Sequence, residues 1–491
     1  MNNIKSFLSA VLVPAALAVA SCKSGTVDTD VIHYRIFHNY NAQCVPADFD
    51  SLGTPDYEGY TNDFMLLGIP GAEVDHFAAR LEGPLKLPQT GTYKIFFISD
   101  DGGLLYIDDS LAINHDGKHG ISVKTDSIYL EKGVHNVRID YFNYDKALKI
   151  ELLYSIDGGP LCRAFSLGDE TPSFVRPQVE EAFSRYAAWK GDDETVVFPI
   201  FTDVHTSGRE VYKHIGYMAE AADVFGFDLM VNLGDIGLND PLSSTMKWYA
   251  DFVVDVTRRE MAIYNGVWLY AAGNHDWDGG EGSLVTSDML YEWFQKPSEA
   301  KAGGNMHVVP GKCYGWYDIP GKNTRFIILN SEGSEHIGVT YIFDDEQLAW
   351  LKTLLEATPK GMNVIVLSHQ CPHLGGRWLS PGGLAYTPGS ESLMSILSEA
   401  VKMGTDIRAM LCGDSHVNAL LEKDGVRYFI SQGYGIDDGT SQMQADIQKN
   451  VKYNYTKTFC VDVIALKPAT GQMRSFRIGA GGADMDYVIA E

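Results

Sequence analysis

The chain has 491 residues, with 64 Asp and Glu against 39 Lys and Arg, for a formal net charge of −25. That length exceeds what one hydrophobic core ordinarily serves, so two or more domains are expected. The acidic balance argues against a broad basic surface for nucleic acid. It leaves room for a small phosphorylated substrate, because bound cations would dominate the field of a metal site.

In chain order, the first element is a targeting segment. Lys5 supplies the positive start and Phe7 to Ala18 the apolar stretch, which ends in Val19-Ala20-Ser21-Cys22. This resembles the lipobox of bacterial lipoproteins, where the cysteine is lipidated and becomes the new N-terminus. Residues 1–21 then form the signal peptide, and Cys22 carries the anchor. The membrane becomes a partner, and the location is the cell envelope, on the outer membrane or facing the periplasm. A plain secretory signal with a chance cysteine is the alternative. No other run is long and apolar enough to span a bilayer. Seven cysteines less Cys22 leave six in an oxidising compartment. Cys44 and Cys162 lie near the two ends of the first domain, at a spacing open to a bridge. For Cys371 and Cys412, a bonded partner and a buried thiol both fit.

Residues 31–165 read as all-β. Short alternating runs recur at Tyr93 to Ile98, Leu104 to Ile107, Asn136 to Phe142 and Leu148 to Tyr154, separated by Gly and Asp. Gly91-Thr92-Tyr93, Ser99-Asp100-Asp101-Gly102-Gly103 and Gly133-Val134-His135 with Tyr141-Phe142 carry a resemblance. It is to the protective-antigen domain, a β-sandwich of bacterial toxins, yeast adhesins and glycosidases. In its adhesin members the paired aspartates bind calcium, which in turn binds sugar hydroxyls. The resemblance thus implies a calcium and glycan site at Asp100 and Asp101, with Asn114, His115 and Asp116 on the same loop surface. Calcium takes several oxygen ligands, which sugar diols can complete. The bland alternative is that Asp100-Asp101-Gly102 only makes a tight turn. Residues 166–193 read as a linker with one short helix, and Glu180 to Lys190 is its charged stretch.

Residues 194–491 hold the chemistry. Five apolar runs read as buried strands: Val196 to Phe201, Leu229 to Leu233, Trp268 to Ala272, Val364 to Leu367 and Ala409 to Cys412. Amphipathic stretches separate them, which predicts a largely parallel sheet flanked by helices. Each run ends in polar residues: Asp203-Val204-His205, Gly234-Asp235, Gly273-Asn274-His275-Asp276, Ser368-His369 and Gly413-Asp414-Ser415-His416. In open α/β sheets that edge is where ligands bind. Asp, His and Asn suit manganese, iron, zinc or magnesium. A carboxylate can bridge two ions, and Asp235 is the obvious bridge. Two ions roughly 3.5–4 Å apart can clamp the attacking and leaving oxygens of a phosphoryl transfer.

The order and spacing of these motifs resemble the calcineurin-like metallophosphoesterase superfamily. Arg325 to Ser331, a central strand, and Gln347 to Leu351, the start of the next helix, extend the likeness. The resemblance implies a four-layer α/β sandwich and a metal-dependent phosphoesterase with two divalent ions. One ion falls to Asp203, His205, Asp235 and His416. The second falls to Asp235, Asn274, His369 and Asp414. His275 faces the phosphate and protonates the leaving oxygen, and Asp276 orients it. A metal-bound hydroxide is the nucleophile. Nearby, Arg377 and His373 are candidate substrate contacts, and Trp277 and Asp278 shape the pocket.

Two departures stand out. The family ends in Gly-His-x-His, whereas here Asp414 replaces the first histidine. It can ligate and favour harder ions such as manganese, magnesium or calcium, or the second site is weak or empty. The arginine that often follows Gly-Asp is replaced by Ile236, Gly237, Leu238 and Asn239. The sequence reading is therefore an exported, lipid-anchored phosphohydrolase acting on a phosphorylated small molecule or glycan. The alternative is a surface glycan-binding lipoprotein with a degenerate phosphoesterase domain. A third reading makes the first domain a structural cover for the catalytic pocket. For the anchor, Cys22→Ser should move the protein out of the membrane fraction. Unchanged membrane association with an unmodified mature terminus would contradict that assignment.

Overall fold

The computed structural model describes residues 32–61, 64–66, 69–72, 74–145, 148–159, 161–164, 175–204, 221–237, 247–276, 285–332, 342–373, 388–415, 418–431, 451–452, 460–479 and 481–491. Cys22, His205, Trp277, Asp278, Arg377 and His416 lie outside these described residues. No described helix is long and apolar enough to cross a membrane.

The first ten strands are β1 (Ile32–His38), β2 (Tyr57–Thr61), β3 (Phe77–Leu87), β4 (Gly91–Asp100), β5 (Gly103–Ile107), β6 (Ser110–His115), β7 (Ser122–Leu130), β8 (Gly133–Asn143), β9 (Lys149–Ile156) and β10 (Cys162–Arg163). They form a six-stranded sheet, β2-β1-β3-β8-β5-β6, and a four-stranded sheet, β10-β9-β4-β7. All the pairings are antiparallel. Period-2 alternation sorts the faces. Tyr93, Ile95 and Phe97 of β4 and Ile150, Leu152 and Tyr154 of β9 fill the space between the sheets. This is the expected sandwich. Cys44 and Cys162 are separate thiols in it and not the bridged pair their spacing allowed.

The other face of the smaller sheet is buried as well. Phe96, Ile98 and Leu153 join a core with residues of the second half of the chain. Helix α1 (Val175–Lys190) and helix α2 (Lys247–Ile263) contribute to that core through Val179, Ala182, Tyr186, Tyr249, Phe252 and Val253. Phe96 lies 4.9 Å from Trp248, ring to ring. Glu151, fully buried on the same face, accepts a hydrogen bond from the Tyr249 hydroxyl at 3.0 Å and pairs with Lys149 at 2.9 Å. The apolar contact and the Tyr249–Glu151 bond across it dock the sandwich on the helical layer, because undocking would return Phe96, Ile98 and Leu153 to water. The segment read as a linker with a short helix thus carries a sixteen-residue helix that belongs to the core.

The second half holds β11 (Val196–Phe201), β12 (Met230–Asn232), β13 (Trp268–Tyr270), β14 (Met306–Val308), β15 (Gly315–Ile319), β16 (Thr324–Ile328), β17 (Asn363–Leu367), β18 (Asp406–Cys412), β19 (Asn418–Lys423), β20 (Val426–Ile430), β21 (Val451–Lys452), β22 (Cys460–Leu466), β23 (Met473–Gly479) and β24 (Tyr487–Ala490). One sheet runs β13-β12-β11-β22-β23-β24, the other β14-β15-β16-β17-β18-β20-β19-β21. The single largely parallel sheet expected from the apolar runs is corrected here to two mixed sheets. Strands β11 to β13 are mutually parallel, as are β16, β17, β18 and β20. Antiparallel strands complete each sheet.

The layering follows from strands buried on both faces, which read as continuous apolar runs. Val196, Phe198 and Ile200 of β11 meet Ile365 and Leu367 of β17 and Leu411 of β18 between the sheets. Val197 and Phe201 turn outward to α1 and α2. Val364, Val366, Met410 and Cys412 turn to the opposite outer layer, α3 (Asp345–Ala357) and α4 (Ser390–Lys402). Asp344 caps α3 by accepting from the Gln347 amide at 2.7 Å. The result is the four-layer α/β sandwich that the resemblance implied, and it sets the ends of β11, β12, β13, β17 and β18 at one edge.

Candidate metal centre

Three carboxylates leave their strands in the same way. Asp203, Asp235 and Asp414 follow β11, β12 and β18 within three residues, with φ of 55°, 57° and 65°. This left-handed turn suits Asp better than most side chains, because its short polar group bonds locally. Thr202 Oγ1 donates to Asp203 Oδ2 at 2.7 Å, and the Asp414 amide donates to the same oxygen at 3.1 Å. The Asp203 amide bonds the Gly234 carbonyl at 2.9 Å. Adjacent loops touch so closely that the glycines have no substitute. A Cβ on Gly273 would run into the Asp235 carboxylate, and one on Gly413 into Thr202 Oγ1 and Asp203.

His369 crosses from the other sheet. Its Nδ1 meets the Leu233 carbonyl at 2.6 Å, so Nδ1 carries the proton and donates it. Nε2 then faces Asn274 Oδ1 at 3.1 Å, Asp235 Oδ1 at 3.2 Å and Asp414 Oδ1 at 3.6 Å. A ring lone pair and three oxygen acceptors converge, an arrangement that calls for a cation or a proton. Burial by itself would lower the His369 pKa. The charges of Asp235, Asp414 and Asp203 outweigh it and hold the pKa well above the ordinary value. Asp203, Asp235 and His369 each offer one ligand atom, all within 4.8 Å of one another. All three side chains are almost fully buried. Donor type, fixed tautomer and spacing therefore fit a divalent metal ion. Asn274 and Asp414 stand beside the group, and the expected ligands His205 and His416 lie outside the described residues.

Asp276 is held by partners other than the one expected. Its oxygens accept from the amides of Asp235 at 3.0 Å, Ile236 at 2.6 Å and Gly273 at 3.0 Å, and from the Tyr270 hydroxyl at 2.7 Å. It buttresses the Asp235 turn, where the sequence reading had it orienting the His275 ring. Burial first, and then the Asp235 charge, push its pKa up to about 6. The His275 amide bonds Asp235 Oδ1 at 2.7 Å, which seats this residue directly beside the central carboxylate.

Glu332, absent from the sequence reading, is buried near the same charges. Burial and the Asp235 and Asp414 charges raise its pKa well above the ordinary value, although His369 opposes this. The signal was present, since Glu332 follows the β16 run as the other acids follow theirs. Tyr270 and Thr202 gave no comparable signal, because each looks like an ordinary strand residue. His373 is half-buried against Tyr428, 5.6 Å between rings, and burial with the nearby Lys423 lowers its pKa. Its neighbours here are strand residues rather than the acidic cluster. Arg377 is outside the described residues.

At the sandwich edge, Asp101 Oδ2 accepts from the Tyr144 amide at 2.7 Å, and the Asp100 carbonyl accepts from the Tyr141 hydroxyl. Burial first and Asp101 next push Asp100 up to about 6. Of the residues expected on this surface, Asp116 Oδ1 accepts from the Val45 amide at 2.7 Å, and His115 Nε2 meets Ser122 Oγ at 3.0 Å. His115 packs on His119 at 4.2 Å between rings, and burial with the His119 charge lowers its pKa to about 4.

Comparison with known proteins agrees with these two halves. A PA14 domain model matches residues 53–163, and a calcineurin-like phosphoesterase model matches residues 197–418. The chain thus carries a calcineurin-like phosphoesterase domain preceded by a PA14 β-sandwich. No curated protein matches it. Among solved structures, it is similar to GAP50, the anchor in the inner membrane complex of Plasmodium. Identity there is 14% over 60% of this chain and 89% of that one, with a TM-score of 0.37. It is also similar to a PA14 sugar-binding domain from an RTX adhesin, at 18% identity over 28% and 96% with a TM-score of 0.23. An anti-sigma factor domain-containing protein matches at 20% identity over 28% of this chain, with a TM-score of 0.23, and the chain spans 46% of that protein's length.

The buttress makes a direct prediction. Asp276→Ala removes the acceptor of three buried amides, at about 1–3 kcal/mol for each one left unsatisfied. The urea midpoint should fall, and affinity for a divalent metal should drop about 10- to 100-fold. Asp276→Asn, which keeps one acceptor oxygen, should recover part of both. Wild-type values for Asp276→Ala in calorimetry and urea melts would remove the buttress role.

Proposed function

We propose that this protein is an exported, lipid-anchored phosphohydrolase that cleaves a phosphomonoester or phosphodiester of a small molecule or glycan. The observation that carries the reading is the buried convergence of Asp203, Asp235 and His369 at the strand-end edge, with Asn274 and Asp414 alongside. Asp203, His205, Asp235 and His416 would hold one divalent ion, and Asp235, Asn274, His369 and Asp414 the other. When bound, such ions lower the pKa of water and neutralise charge on phosphoryl oxygens.

The chain's own residues do the rest. Asp235 serves both positions, so its orientation matters most, and Asp276 with Tyr270 holds the turn that presents it. The Leu233 carbonyl fixes the His369 tautomer that leaves Nε2 free to ligate. His275, seated on Asp235 through its amide, is the proton donor to the leaving oxygen. Asp414 is a working ligand, because its loop is tied to Asp203 and its carboxylate faces His369. Its extra negative charge favours harder divalent ions over zinc.

Metal content of the purified protein and a screen of simple mono- and diesters test the assignment. Asp235→Asn should stay folded and lose most activity. His275→Ala should slow substrates with poor leaving groups by roughly 10²- to 10⁴-fold while sparing good ones. Full activity in verified metal-free protein would rule out the mechanism. Glycan binding by a metal-loaded protein that hydrolyses nothing in the screen would instead favour a degenerate phosphoesterase.

The PA14 match supports carbohydrate binding as the task of the first domain, and our reading adds a calcium ion held by Asp100 and Asp101. Two carboxylates are too few for calcium, so backbone carbonyls, water and sugar oxygens must complete the shell. Asp100 has its pKa raised to about 6, so protons displace calcium as pH falls through that value. Calorimetry should show affinity at pH 7.5 that fades by pH 5 and is absent in Asp100→Asn. Identical calcium binding by Asp100→Asn and wild type would make the domain structural.

A further inference from the structure

Glu332 is buried with the acids of the metal centre, at 4% exposure, yet neither metal position uses it. It stands at the same edge. Strand β16 runs parallel to β17 with Ile328 opposite Leu367, and the Leu329 amide bonds the Leu367 carbonyl at 2.8 Å. Past that point Asn330 turns the chain, because its Oδ1 accepts from the Glu332 amide at 3.0 Å. The Ser331 hydroxyl then joins two strand ends. Its oxygen accepts from the amide of Gln370, the residue next to His369, at 3.4 Å, and it donates to Glu332 Oε1 at 2.9 Å. One hydroxyl thus separates the Glu332 carboxylate from the backbone that carries His369. The charges of His369, Asp235 and Asp414 all bear on that carboxylate.

Little in the protein answers the charge of Glu332. Asp276, buried as deeply, accepts from three amides and a hydroxyl. Among the described residues, the Glu332 carboxylate accepts from the Ser331 hydroxyl alone and pairs with no Lys or Arg. An ionised carboxylate so placed is costly unless a cation answers it. Asp235 and Asp414 meet His369 Nε2 directly, at 3.2 and 3.6 Å, whereas Glu332 makes no such contact and stands outside the Asp203, Asp235 and His369 group. That is the place of a side chain that holds a water of an ion's hydration shell, and not of a direct ligand. The ions differ in their need for such waters. Zinc is complete with about four ligands, as many as Asp235, Asn274, His369 and Asp414 supply, whereas magnesium and manganese take about six and keep several waters.

We propose that Glu332 is a positioning residue of the metal position that Asp414 serves: its carboxylate holds a water of the bound ion and so selects manganese or magnesium over zinc. The inference rests on the metal reading above and adds a residue that neither set of ligands contains. A carboxylate accepts from a water whose protons the ion has made better donors, so the bond is stronger with the metal than without it. Ser331 aims Glu332 from the side of the His369 loop, and the Asn330 turn keeps it from swinging away.

The test titrates the metal-stripped full chain with Mn²⁺ and with Zn²⁺, by calorimetry and by counting bound metal after dialysis. Glu332→Gln keeps the size of the side chain and one acceptor oxygen. In that variant one of the Mn²⁺ binding steps should weaken about 10- to 100-fold. Zn²⁺ binding should change little, and the urea midpoint without metal should be no lower than that of wild type. Glu332→Asp, which keeps the charge, should recover part of the Mn²⁺ affinity. Mn²⁺ and Zn²⁺ titrations of Glu332→Gln that match wild type would overturn the proposal and leave the metal reading standing. An equal loss of both ions with a lower urea midpoint would overturn it too, since that pattern marks a structural role. Wild-type protein that binds neither ion would overturn the metal reading itself and this inference with it.

Discussion

Like charges buried together are the constraint on which this molecule turns. Asp203, Asp235 and Asp414 are almost wholly withdrawn from water within a few ångströms of His369, and Asp276 and Glu332 are buried close behind. Ionised groups in such a place cost several kcal/mol each unless something answers their charge. Part of the answer is internal. Backbone amides are aimed at Asp235 and Asp276, Thr202 donates to Asp203, and His369 supplies a ring edge. The remainder is a standing attraction for cations, which is what a metal centre of oxygen ligands needs.

That cluster also explains why the two sheets must be held in fixed relation. Asp203 and Asp235 come from one sheet, His369 and Asp414 from the other. The Leu233 carbonyl and the Asp203 carboxylate are the points where loops of different sheets bond. Behind them, interdigitated residues such as Phe198, Ile200, Leu367 and Leu411 prevent sliding. The first domain continues the same logic outward. Its β4 and β9 are buried on both faces, one inside the sandwich and one on the helical layer through Phe96, Leu153 and the Glu151–Tyr249 bond. It is thereby a fixed part of the molecule, in contrast to a module on a loose tether.

Some of this was legible in the residues alone. Unbroken apolar runs such as Val196 to Phe201 announce strands buried on both faces, and alternation in Tyr93 to Ile98 announces a sandwich. The Asp, Asn and His that follow those runs are chemically conspicuous, and their order in the chain marks one family of sites. Such signals are local, since they depend on period, on turn chemistry and on which side chains can ligate. The expectation of one largely parallel sheet failed because an apolar run does not state its direction. Strands β22 to β24 and β14 to β15 pair antiparallel through contacts that no local pattern specifies. Glu332 follows the β16 run as the other acids follow theirs, but no metal-ligand motif accompanies it, and only the packed structure shows that it is buried beside them.

By itself, then, the sequence determined that the chain has a β-sandwich and a layered α/β half, and which acids, amides and imidazoles stand at strand ends. Tertiary structure alone decided which of those groups meet. It set the His369 tautomer against the Leu233 carbonyl and gave Asp276 to the amides of the Asp235 turn. The physical reason is that these are contacts between groups tens to hundreds of residues apart. They form only after the apolar faces have packed and the strand ends have been brought to a common edge.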